Sequence, residues 1–306
     1  MKAVVQTEHG DLSSFALDEI PKPTPPPGSV LIRVHASSLN PIDTKRAVFG
    51  WKEDWPIIVG YDVAGVIESI GDNASSVAGL KVGDRVYGDI MADSGGKKTT
   101  GTLAEYCIAN LELLAKMPEG SLFTEMAALP VVGQTSIAAL ELAGVEKGNK
   151  VFITGGAGGV GVHMIQVAKG LFGAGVVATT ASMGKAEFVK KYGADIVVDY
   201  KKEDAGEKFE GWADTVVDCT GEVEMCKRIV KNEERLCSVA AYGRDDVKAL
   251  MLKPTREMLE RISKLYVAKK ITPVIDTVYP LSEGLKAVAH IDGGRSKGKV
   301  IVQVRD

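Results

Sequence analysis

The sequence predicts an α/β protein of two domains, one built on a doubly wound parallel sheet and one rich in short β-strands. Three observations carry that expectation. The chain has 306 residues, about twice a typical domain length, so two domains sharing a cleft are expected. Its hydrophobic period changes from about two to about 3.6 near residue 116. Beyond that point strand-like and helical runs alternate, which is the pattern of a parallel sheet with right-handed crossovers.

Residues 1–115 read as short strands broken by turn chemistry. The proline-rich run 21–28 stops one strand, and Val30-Leu31-Ile32-Arg33-Val34 opens the next. The turn at Lys81-Val82-Gly83-Asp84 feeds a further strand. The polar stretch 92–100 is the candidate for a mobile loop. From residue 123 to 142 small and apolar residues recur at helical spacing. Strand-like runs follow at 151–154, 175–180, 196–198, 215–218 and 235–240, separated by helical segments such as 162–172 and 185–192. Residues 255–269 predict a long amphipathic helix. The tail from Pro273 to Val304 reads as short strands that complete the first domain. The expected division is therefore 1–115 with 270–306 for the β-rich domain, and 116–269 for the parallel-sheet domain.

Composition excludes several functions. Hydrophobic residues make up 45% and charged residues 25%, ordinary globular values that argue against disorder. A formal net charge of −3 with scattered lysines offers no electrostatic footprint for nucleic acid or an anionic membrane. Small-molecule partners are expected. The four cysteines, Cys107, Cys219, Cys226 and Cys237, lack the paired spacing of a structural zinc lobe or a disulfide framework, and reduced buried thiols are expected. No apolar run reaches the roughly 18 residues needed to span a bilayer. The chain enters a strand-like run at Met1, so no targeting segment is expected. A cytoplasmic location follows, with an organelle stroma as the alternative if a segment has been removed.

The strongest local signal is Thr154-Gly155-Gly156-Ala157-Gly158-Gly159-Val160-Gly161, a G-x-G-x-x-G pattern at Gly156, Gly158 and Gly161 between a strand and a helix. The glycines provide a tight turn, close backbone approach to a pyrophosphate and close helix-to-strand packing. The following helix N-terminus presents N–H groups and a positive dipole end to the diphosphate. Gly156, Ala157, Gly158, Gly159 and Val160 are thus the expected cofactor cradle. At the end of the second strand, Ala178-Thr179-Thr180-Ala181-Ser182, no acid awaits a ribose 2′-hydroxyl before Glu187. Ser182 and Lys185 instead suit a 2′-phosphate, so NADPH is the expected cofactor. The plain alternative for Lys185 is a solvated lysine at a helix start.

No metal ligand set is legible, since His9, His35, His163 and His290 show no ligand spacing. The stretches Leu39-Asn40-Pro41-Ile42-Asp43-Thr44-Lys45-Arg46, Gly60-Tyr61-Asp62-Val63-Ala64-Gly65, Gly101-Thr102-Leu103-Ala104-Glu105-Tyr106, Leu129-Pro130-Val131-Val132-Gly133-Gln134-Thr135 and Pro273-Val274-Ile275-Asp276, with the glycine loop, resemble the quinone oxidoreductase branch of the medium-chain dehydrogenase/reductase superfamily. The resemblance spans nearly the whole chain. Within that branch the first two stretches look most similar to plant-type alkenal and enone oxidoreductases, which reduce the C=C bond of α,β-unsaturated carbonyls with NADPH. The chain departs from that subgroup in the short loop Ala241-Tyr242-Gly243-Arg244 and in the turn Asn232-Glu233-Glu234-Arg235, where its substrate pocket is expected to differ.

The resemblance implies a GroES-like catalytic domain plus a Rossmann domain, and zinc-independent chemistry. Zinc-dependent relatives carry a ligand histidine where Tyr61 stands and a ligand cysteine near Asn40. It assigns Lys45 to the cofactor ribose and the substrate carbonyl, and a cation there suits the charge that develops on an enolate oxygen. The alternative is a surface lysine on a short helix, with Asp43 and Arg46 as an i,i+3 pair. Tyr61 either lines the pocket and donates from its hydroxyl or is packed as a half-buried aromatic. Asp62 reads as a structural carboxylate. Further cofactor contacts implied by the resemblance are Asn40 and Thr135 near the nicotinamide ribose, Tyr200 against the adenine, the loop following Val239, and Arg295 with Ser296. A homodimer is the assembly the resemblance suggests. An NADPH-binding structural or regulatory protein of the same fold, with little turnover, shares the cofactor loop and stays open as the alternative function.

Overall fold

The computed structural model describes residues 1–8, 10–45, 56–72, 79–91 and 101–306. His9, Arg46 and the loop expected at 92–100 lie outside the described residues.

The chain divides into two compact units. The first comprises Met1–Val131, Lys253–Ser263 and Pro273–Asp306, and the second Val132–Leu252 and Lys264–Thr272. In the first unit, β1 (Lys2–Gln6), β2 (Phe15–Glu19), β3 (Ser29–Leu39), the short helix α1 (Pro41–Lys45), β4 (Ile57–Ile58), β5 (Asp62–Ile70), β6 (Arg85–Asp89), β7 (Tyr106–Asn110), β8 (Leu114–Lys116) and α2 (Phe123–Ala127) follow one another. The helix expected over 123–142 is broken after α2. A second helix, α3 (Pro130–Leu142), begins on a proline, because Pro has no N–H and its fixed φ suits the first helical position.

In the second unit β9 (Lys150–Ile153), α4 (Gly159–Gly170), β10 (Val176–Ala181), α5 (Ala186–Lys191), β11 (Ile196–Asp199), α6 (Ala205–Lys208), β12 (Thr215–Asp218), α7 (Val223–Ile229), β13 (Leu236–Ser238) and β14 (Lys248–Ala249) alternate as the period change predicts. The helix α8 (Arg256–Val267), β15 (Ile275–Pro280), α9 (Gly284–Asp292) and β16 (Lys299–Gln303) complete the chain. The tail is not strands alone. Gly284, Ala287, Val288 and Ile291 are buried on one face of α9, a spacing of i, i+3, i+4 and i+7 that marks an amphipathic helix and that the strand reading of the tail passed over.

In the first unit β2-β1-β4 form a small sheet, and a larger sheet runs β15-β16-β3-β5-β6-β8 with β7 also pairing β3. The central hairpin-like pair β3 and β5 is antiparallel and brings Ser38 opposite Asp62. Val30, Ile32, Val34, Val63, Ile67, Val86 and Leu114 fill one core. Tyr87 is wholly buried there. Its hydroxyl donates to the Leu259 carbonyl at 2.5 Å and lies 2.8 Å from Ser263 Oγ, and burial pushes the phenol pKa up, so it stays a donor. Tyr87→Phe removes the side-chain bond to the Leu259 carbonyl, which lies inside α8, and the contact with Ser263 Oγ. We expect a loss of roughly 0.5–1.5 kcal/mol, read as a lower urea midpoint at unchanged slope.

In the second unit all strands are parallel, in the order β11-β10-β9-β12-β13-β14. The chain winds one way from β9 through β10 to β11 and then returns past β9 to β12. The carboxyl end of β9 is thus a topological switch point, the place where such sheets bind ligands.

Candidate active site

The glycine-rich turn occupies that switch point, between β9 and α4. Gly155 takes φ +65°, a left-handed conformation that favours glycine. It was not among the three glycines of the motif, and it makes the tight turn. A Cβ on Gly156 would lie 2.2 Å from Thr179 Oγ1, and one on Gly161 would lie 2.3 Å from the Gly155 carbonyl oxygen. Both positions are closed to any side chain. A Cβ on Gly158 would meet only the Gly155 oxygen, at 3.4 Å, so the space beside Gly158 is open.

The turn is held from below. Gly156 N donates to Thr180 O at 3.0 Å and Gly155 N to Thr180 Oγ1 at 2.9 Å. Thr154 Oγ1 donates to Asp218 Oδ1 at 3.0 Å. Asp218, at the end of β12, also accepts from the backbone N–H groups of Thr220, Gly221 and Glu222 and from Ser238 Oγ. Thr154, Thr180 and Asp218 escaped the sequence reading because their work is to hold backbone. Gly158 is the N-cap of α4, and the first N–H groups of a helix have no intrahelical partner. An open, rigid turn ending in those donors fits a diphosphate.

Ser182, Lys185, Tyr200 and Val239 lie at the same edge of this sheet. Ala181 pairs in register with Asp199, so Ser182 and Tyr200 leave adjacent strands side by side. Ser182 makes no capping bond to the turn that follows. Lys185 is half-buried, and Tyr200 is 56% exposed, a phenol ring open to a planar partner. Val239 follows β13, its N–H bonded to Asp218 O. Thr135 is buried on α3.

In the first unit, α1 and the start of β5 bring together a second group. Asn40 precedes Pro41 at the head of α1. An asparagine there ordinarily caps the helix with its own side chain, but Asn40, 4% exposed, turns inward. Its Nδ2 donates to Asp62 Oδ2 at 2.8 Å, and its Oδ1 accepts from Lys299 Nζ. The capping is done from the other end, by Asp43, whose Oδ2 accepts from Asn40 N at 2.6 Å. Asp43 is therefore buried; Arg46, its expected i,i+3 partner, is outside the described residues. Asp62 is wholly buried and also accepts from Ser38 Oγ and from Val131 N, each at 2.7 Å. It thus bonds to residues of β3, β16 and the heads of α1 and α3.

Lys45 ends α1 and is exposed. Tyr61 is 3% exposed, so its ring is fully rather than half-buried. Asp89 faces Asp62 across β5 and β6. Burial, with the Asp62 and Asp43 charges adding, pushes its carboxyl well above the usual range. Arg295 is exposed and Ser296 half-buried, in the loop between α9 and β16.

The remaining candidates are structural. His163 Nδ1 donates to Gly159 O at 2.7 Å, His35 stacks on Phe123 with ring centres 4.0 Å apart, and His290 pairs with Asp276 at 3.1 Å. All four cysteines are free thiols. Burial, followed by the Asp218 charge, pushes the Cys237 thiol up to about 12 and those of Cys219 and Cys226 higher, which makes them poor nucleophiles. Among the described residues no group of three or more His, Cys, Asp or Glu is placed to hold a metal ion, and no helix is long and apolar enough to cross a membrane.

A parallel sheet opening on a glycine turn at its switch point, joined in one chain to a β-rich unit, defines a dinucleotide-binding oxidoreductase class. The chain matches the alcohol dehydrogenase GroES-like domain over residues 26–119 and the zinc-binding dehydrogenase family over residues 192–302. It is 37% identical to 2-methylene-furan-3-one reductase of Solanum lycopersicum, over 99% of this chain and 79% of that one. It is 32% identical, with the same coverage, to the chloroplastic NADPH-dependent alkenal/one oxidoreductase of Arabidopsis thaliana. Its fold superposes on the quinone oxidoreductase of Coxiella burnetii with a TM-score of 0.86, at 30% identity and over 100% and 99% of the two chains. The protein belongs to the medium-chain dehydrogenase/reductase superfamily, in its quinone oxidoreductase branch.

Proposed function

We propose that the protein is an NADPH-dependent reductase that delivers hydride to the C=C bond of α,β-unsaturated carbonyls, enones and alkenals, or to quinones, without a catalytic metal. The observation that carries the cofactor half is the carboxyl edge of the parallel sheet, where the glycine turn, Ser182, Lys185 and Tyr200 lie with no acid at the end of β10. Two relatives similar over 99% of the chain, named 2-methylene-furan-3-one reductase and NADPH-dependent alkenal/one oxidoreductase, support the substrate class. In this reading residues 116–269 hold the cofactor, and 1–115 with 270–306 supply the substrate side.

The cradle at Gly156, Ala157, Gly158, Gly159 and Val160 would hold the diphosphate. Ser182 and Lys185 would hold the 2′-phosphate, Tyr200 the adenine face, and Asn40, Lys45 and Thr135 the nicotinamide ribose, with Val239, Arg295 and Ser296 closing the contact set. When bound, the cofactor would supply hydride from its reduced nicotinamide. On hydride addition to the substrate β-carbon, the C=C pair would form a double bond between the α-carbon and the carbonyl carbon, and the C=O pair would move onto oxygen, leaving an enolate. Lys45 meets that charge with its ammonium, the donor role on which such catalysis leans most. Solvent then protonates the α-carbon. The donors at the family's zinc positions here are Tyr61 and the region of Asn40, a phenol and a carboxamide in place of imidazole and thiolate. Tyr61 would shape the pocket wall.

Location in the cytoplasm, or in an organelle stroma, and assembly as a homodimer belong to the same proposal. The test is loss of NADPH absorbance with a panel of enones, alkenals and quinones. Tight NADPH binding with no oxidation by any acceptor would favour a binding protein without turnover. Lys185→Glu should weaken NADPH by roughly ten- to a hundredfold, the worth of a charged hydrogen bond, and NADH far less. Equal weakening of both, measured by cofactor fluorescence, would move the 2′-phosphate elsewhere.

A further inference from the structure

We propose that Lys299 is a positioning residue for the cofactor, its buried ammonium clamping Asn40 in the single orientation that serves the nicotinamide ribose. The inference rests on the reading of Asn40 as a ribose contact given above. Lys299 opens β16 and is only 2% exposed. Its backbone N–H donates to Val274 O at 2.8 Å, which fixes where the side chain enters the core. The ammonium donates to Asn40 Oδ1 and lies 3.1 Å from Asp62 Oδ2. Taking a lysine ammonium out of water is costly, and a buried ion pair is weak evidence for stability. Its geometry indicates what it does instead.

The carboxamide of Asn40 has two unlike ends, and the cluster reads both. Oδ1 faces the cation, and Nδ2 faces the Asp62 carboxylate at 2.8 Å. A flipped amide would set N–H groups against the ammonium and an oxygen against the carboxylate, so one orientation survives. Without the ammonium only the Nδ2 bond to Asp62 holds the amide, and the capping rotamer usual at the head of a helix competes with it. Asp62 is held in turn by Ser38 Oγ and by Val131 N at the head of α3. Of the three acids gathered here it is Asp62 that answers Lys299, at 3.1 Å, while Asp89 lies opposite it in the sheet and Asp43 is occupied at Asn40 N. The cluster thus ties β16, β5, β3 and the heads of α1 and α3 to one amide.

A structural staple and a positioning device make different predictions. We would measure dissociation constants of NADPH and NADH, with no acceptor present, for the full chain and for Lys299→Met, Asn40→Ala and the double variant. Lys299→Met should weaken both cofactors equally, by about fivefold or more, the factor one hydrogen bond is worth. In the Asn40→Ala background the same substitution should add less than about twofold, because it acts through Asn40. Unchanged binding in Lys299→Met, or losses that add in full, would overturn the proposal. Where Lys299→Met does not fold, because it leaves Asp62 buried without its cation, Lys299→Met/Asp62→Asn removes both charges together and is read the same way. Binding is measured without turnover, so failure here is distinct from failure of every acceptor to oxidise NADPH.

Discussion

Gly161→Ala is expected to abolish NADPH binding and to cost the fold about 3 kcal/mol, the upper end of what overpacking brings. The added Cβ would lie 2.3 Å from the Gly155 oxygen, 2.8 Å from Gly156 Cα and 2.9 Å from the Gly155 carbonyl carbon. All three are backbone atoms of the turn itself. No side chain can swing aside, so the first turn of α4 and the glycine turn must part, and the phosphate cradle parts with them. Gly158→Ala is the control: its Cβ finds only one atom, at 3.4 Å, and otherwise projects into open space. It should melt like the parent protein yet bind NADPH weakly, because the methyl group takes the room a phosphate needs. Thermal melting and fluorescence titration of the two variants check this. Normal binding by Gly161→Ala, or by a well-folded Gly158→Ala, would remove the diphosphate from this turn.

Lys45→Ala is expected to lower kcat/KM for enones by about 10²-fold, the usual worth of one donor aimed at a developing oxyanion. The fold should not notice. Lys45 is exposed at the end of α1, where a cation gains only a modest interaction with the helix dipole, and surface changes of this kind stay within about 0.5 kcal/mol. The separation of the two effects is the informative result. Lys45→Arg, which keeps the charge but spreads it over a planar fork, should recover part of the rate. Unchanged steady-state kinetics in Lys45→Ala would take that lysine out of the mechanism and leave it as a solvated helix-end residue.

The parallel-sheet unit was largely legible, because its signals are local. Strand β12 occupies Thr215–Asp218, the run its β-branched residues predict, and the glycine turn sits between a strand and a helix as its spacing requires. Two elements depart from the local pattern because a second local signal prevails. Pro130 divides one expected helix into α2 and α3, and α9 hid behind the strand-like residues that flank it. The substrate side was less legible. Asn40 looks like a helix cap and is not one, Tyr61 is more deeply buried than expected, and Lys299 resembles any lysine at the start of a strand.

By itself the sequence determined the alternation of strand and helix, the glycine turn and the uncharged end of β10. Period and turn chemistry act within about a dozen residues, so those features are written where they occur. The tertiary structure alone decided that Lys299 would meet Asn40 and Asp62, 259 and 237 positions away along the chain, and that Asp89 would be buried opposite Asp62. A buried charge chooses its partners by what shares its desolvated pocket, and that pocket is assembled from strands whose spacing in sequence carries no trace of their meeting.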